Sequence, residues 1–209
     1  LIQAAHRSSN PYLNNRIRLV TNHSDRKIQA WAKTAVGSLK IQPVGADKTA
    51  KISTLKPEEA IAKVIAYKKG DYALGEAIYT RANCSACHTT SNEEAPKGPY
   101  LGSIASILRR SDLAEAIILP NKTISQGFST QIVSLKNGQS VMGFITDESG
   151  DSLSMRDISS KEHHFKKSEV TSRQKLPTSL MPQGLMNSFS IHEMASLLDY
   201  LNHLVKEEK

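Results

Sequence analysis

The stretch Cys84-Ser85-Ala86-Cys87-His88 contains both cysteines of this 209-residue chain and places a histidine directly after the second. C-x-x-C-H is the pattern through which a haem group is attached covalently to a protein. Each thiol can add across one vinyl group of the porphyrin, and the adjacent imidazole then lies under the iron. We therefore predict one c-type haem with its iron per chain, bound by Cys84, Cys87 and His88.

Two other interpretations of the cysteine pair are weaker. A thioredoxin-like dithiol also has the pattern C-x-x-C, but it belongs to a βαβ context. Here residues 71 to 81, just before the motif, have the pattern of a short amphipathic helix. A zinc site needs about four ligands and usually a second pair at similar spacing. The chain has no other cysteine, and His163-His164 form an isolated pair.

Composition and charge restrict the class of partner. Hydrophobic residues make up 39% and charged residues 22% of the chain, which is typical of an ordinary globular protein. No apolar run approaches the roughly 18 residues that span a bilayer. The formal charge of +7 suits docking on an acidic protein surface. Nucleic acid is disfavoured as a partner, because groove-reading motifs are absent and aromatic residues are only 5%.

Residues 1–69 form a helical segment and linker: Gly37 to Ser53 has the pattern of a linker, and Pro57-Glu58-Glu59 begins a further helix that Gly70 can end. Ser24 can cap a helix in which Ile28, Trp31 and further apolar residues up to Leu39 lie on one face. The stretch Pro11 to Val20 has similar spacing, so the two helices resemble the last unit of a HEAT-like repeat array. A plain helical hairpin fits equally well, because one unit does not establish a period.

Further elements resemble the class I cytochrome c pattern. They are Gly98-Pro99-Tyr100-Leu101, which begins ten residues after His88, Ser179-Leu180-Met181-Pro182, and a terminal helix with the capping box Ser190-x-x-Glu193. The resemblance implies that the Pro99 carbonyl accepts a hydrogen bond from His88 Nδ1. It also implies that Met181 is the second axial ligand and that the terminal helix packs across the helix preceding the motif. Taken singly, Gly-Pro is usually a turn and methionine usually fills a core.

Met181 is favoured over the other methionines as the distal ligand. Pro182 keeps its loop extended, since proline has a fixed φ and no N–H. The alternatives are explained by core packing or by a position too close to the Ser190 cap: Met142, Met155, Met186 and Met194.

The interval from His88 to Met181 is longer than a compact single-haem cytochrome needs. Residues 130–146 alternate in hydrophobicity on both sides of Asn137-Gly138, which predicts a β-hairpin. About four or five short strands predict a small sheet or SH3-like barrel inserted at about 128–175. The predicted fold class is mainly α: a class I cytochrome c fold over 70–209 with this β insert, preceded by the HEAT-like segment.

The second half as a whole resembles the haem-binding cytochrome c domain of the planctomycete and verrucomicrobial type, over roughly residues 70 to 205. Such domains stand at the C-terminal end of large exported proteins, behind helical repeats and a dehydrogenase domain. The start at Leu1, without a leader, fits that expectation. Besides C-x-x-C-H, the resemblance rests on Gly98-Pro99, Arg109-Arg110-Ser111-Asp112-Leu113, Leu119-Pro120-Asn121-Lys122, Gly127-Phe128, Leu135-Lys136-Asn137-Gly138, Gly143, Arg156-Asp157 and Ser179-Leu180-Met181-Pro182-x-Gly184-Leu185.

We expect an electron-transfer domain rather than an enzyme, because His88 and Met181 would fill both axial positions of the iron. It would relay electrons from a fused or partner dehydrogenase in the periplasm or another exported location. The alternative is a haem-based sensor or a peroxidase-like enzyme in which Met181 dissociates. A third hypothesis makes the chain mainly a docking scaffold.

Overall fold

The computed structural model describes Ile17 and residues 20–38, 47–68, 70–93, 98–125 and 127–207. The helices within them are α1 (Arg26–Ser38), α2 (Pro57–Ala66), α3 (Tyr72–Arg81), α4 (Ile104–Ile107), α5 (Arg110–Ile118) and α6 (Ile191–Glu207). The strands are β1 (Gln131–Leu135), β2 (Ser140–Ser149), β3 (Ser152–Asp157), β4 (Glu162–Lys166) and β5 (Val170–Lys175). Short 3-10 turns lie at Val20–Asn22, Ile52–Thr54, Cys84–Ala86 and Lys167–Glu169.

The fold class predicted from the sequence, mainly α, is wrong. Helix accounts for 42% and strand for 20% of the structure. The five strands form one antiparallel sheet in the order β4-β3-β2-β1-β5. This sheet has its own buried core of Val133, Leu153 and Met155, separate from the helical core. It is therefore a second structural unit with its own packing, and the fold combines α and β parts.

Register in the sheet follows from its tight connections. Asn137 and Gly138 form the turn between β1 and β2, and Gly138 has a φ of +84°, which glycine adopts without a Cβ penalty. The edge strands β4 and β5 are joined by the 3-10 turn Lys167–Glu169. Gln131, at the start of β1, pairs with Gly143 on one side and with Lys175 on the other. The chain thus enters and leaves the sheet on neighbouring strands.

The helical core is built on a close crossing of α3 and α6. At Gly75 of α3, an added Cβ would overlap the carbonyl oxygen of Ser196 in α6, so only glycine allows this approach. The rings of Tyr79 and Tyr200 contact each other, with centroids 5.5 Å apart. The packing expected between these two helices is confirmed. The buried residues of α6 are Ile191, Met194, Ala195, Ser196, Leu197, Leu198, Tyr200 and Leu201.

The capping box predicted for the terminal helix is also confirmed. The Ser190 backbone N–H donates to Glu193 Oε2 at 2.9 Å, and the Glu193 N–H donates to Ser190 Oγ at 3.0 Å. Two otherwise unpaired donors of the first turn are therefore satisfied. Arg110 of α5 ties its helix to α6, since its guanidinium donates to Asp199 and to the Ala195 carbonyl.

The first helix differs in detail from its prediction. Asp25, not Ser24, caps α1, because its Oδ1 accepts from the Lys27 N–H at 2.8 Å. Ala32 and Ala35 pack against Ile17, but Trp31 is 65% exposed and does not lie on the buried face. Most of Pro11 to Val20, together with Leu39, lies outside the described residues, so the HEAT-like arrangement stays a prediction. No helix within the described ranges is both long and apolar enough to cross a bilayer.

Candidate haem site

Helix α3 delivers the cysteines on a tight turn. After the helix ends, Asn83 adopts a left-handed conformation with φ of +58°, which asparagine tolerates better than most residues. The 3-10 turn Cys84–Ala86 follows. The backbone N–H groups of Cys87 and His88 both donate to the Cys84 carbonyl, at 3.2 and 3.0 Å. The two cysteines and the imidazole are therefore carried by one short, hydrogen-bonded turn.

His88 and Pro99 are brought together by the fold. His88 Nδ1 lies 2.8 Å from the Pro99 carbonyl oxygen. A carbonyl can only accept, so Nδ1 carries the proton and the lone pair of the neutral ring lies on Nε2. This tautomer is the one that a metal-ligating histidine needs when it binds through Nε2.

Gly98 allows this arrangement because it has no side chain. A Cβ at position 98 would lie 2.5 Å from the Cys87 carbonyl oxygen, closer than van der Waals contact permits. Leu101 adds a second hydrogen bond between the two segments, since its N–H donates to the Thr89 carbonyl at 2.9 Å. The segment beginning at Gly98 is thus held against the segment that follows the motif. Gly-Pro at this place is more than a simple turn.

Burial sets the protonation state of the histidine. The pKa of His88 is lowered because burial disfavours the imidazolium, and the hydrogen bond to Pro99 opposes this only in part. The ring is therefore neutral at physiological pH, as a ligand must be. The Tyr79 hydroxyl donates to the His88 backbone carbonyl at 3.0 Å, which fixes the turn from the α3 side.

The cysteines do not resemble a redox dithiol. Burial raises the pKa of the Cys84 thiol to about 11, whereas the attacking thiol of a dithiol oxidoreductase has a lowered pKa. Cys87 is exposed, and the two cysteines are not disulfide-bonded. Across the described ranges, no cluster of three or more His, Cys, Asp or Glu could hold a metal ion. The zinc and dithiol interpretations therefore gain no support.

The donor set fits a covalent haem. Two free thiols lie on one turn, and Nε2 of His88 is available for iron. The Pro99 carbonyl, which Gly98 allows to approach closely, fixes the imidazole through Nδ1. Each of these groups has a defined part in holding a haem c, and no further cysteine is needed.

Met181 lies on a separate loop that Asn121 anchors. The Met181 N–H donates to Ser179 Oγ at 3.1 Å, and the Ser179 N–H donates to Asn121 Oδ1 at 2.8 Å. Asn121 Nδ2 also donates to Gln183 Oε1 at 3.5 Å, on the other side of the methionine. Sequence reasoning listed Asn121 only as part of a family pattern and missed this role. Its position just after the proline that ends α5 was the available signal.

The other methionines occupy different surroundings. Met186 and Met194 are buried in the helical core, and Met155 is buried in the sheet core. Met142 is 39% exposed on β2. Among the described residues, no hydrogen bond joins the Met181 loop directly to the His88 segment. The structure thus brings Cys84, Cys87, His88 and Pro99 together, and Met181 lies half-buried on a loop of its own.

The turn, the oriented imidazole and the α3–α6 crossing define a protein that carries haem covalently on a C-x-x-C-H turn. The family model described as Cytochrome c matches residues 72–154, less than half of the chain. The match includes the haem motif and Gly98-Pro99 and ends before Met181. No curated protein matches the chain. The chain therefore contains a cytochrome c-like domain with covalently bound haem c and iron, and its role is haem-based electron transfer.

Proposed function

We propose that this domain is a single-haem electron carrier in which His88 and Met181 are the two axial ligands of the iron. The observation that supports it best is the His88 Nδ1 to Pro99 hydrogen bond at 2.8 Å, which leaves Nε2 free for iron. The Met181 loop adds support, since Asn121 holds it while the remaining buried methionines are used in packing. When bound, the haem supplies the ferric and ferrous states.

Pro99 and Met181 would shift the redox potential of the haem in opposite directions. The Pro99 carbonyl draws the proton of Nδ1 and makes Nε2 a stronger donor, which favours ferric iron. A thioether from Met181 favours ferrous iron and raises the potential. With His88 and Met181 both holding the iron, no position would be left for substrate or oxygen. Electron transfer without bond making is the chemistry that such a site performs.

Redox partners would be proteins with acidic surfaces. The formal charge of +7 raises the rate of encounter with such surfaces more than the affinity. By its resemblance to the planctomycete and verrucomicrobial type, the domain would lie at the C-terminal end of an exported protein. There it would accept electrons from a fused or partner dehydrogenase in the periplasm.

A matched pair of variants tests the distal ligand. Met181→Leu and Met186→Leu each remove one thioether with little change in volume. We expect Met181→Leu to abolish the weak near-infrared sulfur-to-iron band of the oxidised protein, lower the potential and open the reduced iron to carbon monoxide. Met186→Leu should keep the band.

Two outcomes would contradict the proposal. Persistence of the band in Met181→Leu would assign the ligand to another methionine. Fast carbon monoxide binding by the unmodified reduced protein, with no band when oxidised, would favour the sensor or peroxidase-like alternative.

A further inference from the structure

Arg156 on β3 is an almost buried cation with incomplete pairing. Its side chain is 12% exposed, and its ion pair with Glu162 is long, at 3.5 Å from Nη2 to Oε2. Glu162 itself is 42% exposed. The Nε atom of Arg156 is buried and has no hydrogen-bond partner among the described residues. A guanidinium has five donors and is costly to bury unpaired, so an acceptor is missing here.

Thr130 is a second polar group with the same deficiency. It is 1% exposed, and its Oγ1 is buried without a partner in the part of the chain that the structure describes. Phe144 pairs with Arg156 across the β2–β3 ladder. Because Gln131 pairs with Gly143, the register extended by one residue places Thr130 opposite Phe144. Directly opposed residues share a face, so Thr130, Phe144 and Arg156 form one row, the Thr130 row.

Three other arginines, Arg109, Arg110 and Arg173, are better paired. Arg109 donates to both carboxylate oxygens of Asp112. Arg110 also has a buried Nε with no partner in the described part of the chain, but its two terminal nitrogens bond to Asp199 and to the Ala195 carbonyl. Arg173 on β5 donates to both carboxylate oxygens of Glu148. Arg156 is the one of these whose burial is greatest and whose pairing is poorest.

The Thr130 row lies at the end of the sheet that adjoins the methionine loop. The Leu176 N–H donates to the Thr130 carbonyl at 2.8 Å, and from Leu176 the chain runs directly to Ser179 and Met181. On the entry side, the segment from Asn121 leads to Thr130, and Asn121 holds that same loop. Both connections between the sheet and the helical domain therefore pass the row.

We propose that the Thr130 row binds a haem propionate. Nε–H and an Nη–H of Arg156 present the parallel donor pair that a carboxylate accepts in bidentate fashion. The Thr130 hydroxyl, two strands away on the same face, offers a further donor to the propionate side of the haem. Phe144, in ring contact with Phe128 at 5.1 Å, shields the site from water. The inference rests on the proposed function, both on its covalent haem and on the Met181 loop as the loop that faces the iron. A free small carboxylate has the same chemistry and is the competing source.

Redox titration of the haem-loaded full chain between pH 5 and 9 tests the proposal, with Arg156→Gln compared against Arg173→Gln. Both variants lose one charge from the same sheet, but Arg173 has its acceptor in Glu148. We expect Arg156→Gln to lower the potential at neutral pH, because an unpaired propionate stabilises ferric iron. Its potential should also depend more steeply on pH. The potential of Arg156→Lys, which keeps the charge, should lie between those of Arg156→Gln and the wild type.

Thermal unfolding of Thr130→Val gives an independent readout. If Oγ1 has no acceptor, valine removes an unsatisfied group and raises the melting temperature. If a propionate accepts from it, the melting temperature of the haem-loaded protein falls.

The proposal is overturned if Arg156→Gln and Arg173→Gln have the same potential at every pH, or if Thr130→Val stabilises the protein. A third outcome would also overturn the proposal: acetate raises the melting temperature of the wild type but not of Arg156→Gln, and the two proteins have the same redox potential. The row would then bind free carboxylates rather than a propionate. Retention of the sulfur-to-iron band in Arg156→Gln would show that the Met181 assignment is unaffected.

Discussion

The segment that carries His88 and the loop that carries Met181 differ in how the chain holds them. His88 is fixed by the carbonyl of Pro99, eleven residues further along. The Met181 loop is fixed by Asn121, whose partner Ser179 is 58 residues further along the chain. All five strands lie between these two positions in the sequence. The first support is encoded locally, whereas the second depends on correct folding of everything between α5 and α6. Damage to the two sides should therefore have different consequences.

Loss of both cysteines should have the largest effect. Cys84→Ala combined with Cys87→Ala removes the two thioether bonds, so no haem should remain attached in the denatured chain. Peroxidase staining after denaturing electrophoresis and intact mass measure this directly. Ser85→Ala, between the two cysteines, is the matched control and should keep the haem. A stained band in the double variant would show that the attachment assignment is wrong.

Gly98→Ala should damage the proximal side through the backbone. The new Cβ would lie 2.5 Å from the Cys87 carbonyl oxygen, so the Pro99 segment must move away from His88. We expect a loss of about 1–3 kcal/mol in the free energy of unfolding. The potential should rise, because a weaker Nδ1 hydrogen bond makes the imidazole a poorer donor.

Gly37→Ala is the control for that substitution. No atom of the described residues lies within 4 Å of a Cβ at position 37 of α1, so this variant should be neutral or slightly stabilising. Equal destabilisation by the two substitutions would remove the special role of Gly98.

Asn121→Ala should loosen the distal side while leaving the haem attached. It removes the acceptor for the Ser179 N–H and the donor to Gln183, at a cost of about 1–2 kcal/mol. Carbon monoxide should then bind faster to the reduced protein, as measured by flash photolysis or stopped flow. Asn137→Ala, in the β1–β2 turn, serves as the control. Unchanged binding in Asn121→Ala would mean that the loop does not need this anchor.

Asp157→Asn should have the smallest effect, confined to the sheet. The pKa of Asp157 is held well below its usual range, first by the Ser159 hydroxyl and then by His163 Nε2. A carboxyl group whose folded-state pKa is depressed contributes stability above its unfolded pKa of about 3.9, and loses it as the pH falls further. The difference in melting temperature between wild type and variant should therefore shrink below about pH 4. A difference in melting temperature that does not shrink between pH 4 and pH 2 would contradict this explanation.

The features predicted well from the sequence are those whose contacts are close along the chain. The haem turn, α3 and the Ser190–Glu193 cap each depend on residues within a few positions. The fold class failed because the sheet's separate core brings Val133 of β1 together with Leu153 and Met155 of β3, which lie far from it along the chain. The anchoring role of Asn121 was missed for the same reason.

One feature of the sheet has a consequence for chain entropy. Gln131 and Lys175 are paired on adjacent strands, so the folded sheet separates its two ends by a single strand spacing, about 4.8 Å. Once the sheet has formed on its own core, the connection between α5 and α6 behaves as a much shorter loop. The entropy that α6 must overcome to reach Gly75 of α3 is correspondingly smaller, since closure cost grows with the length of flexible chain. Early formation of the sheet would thus favour the docking of α6 onto α3.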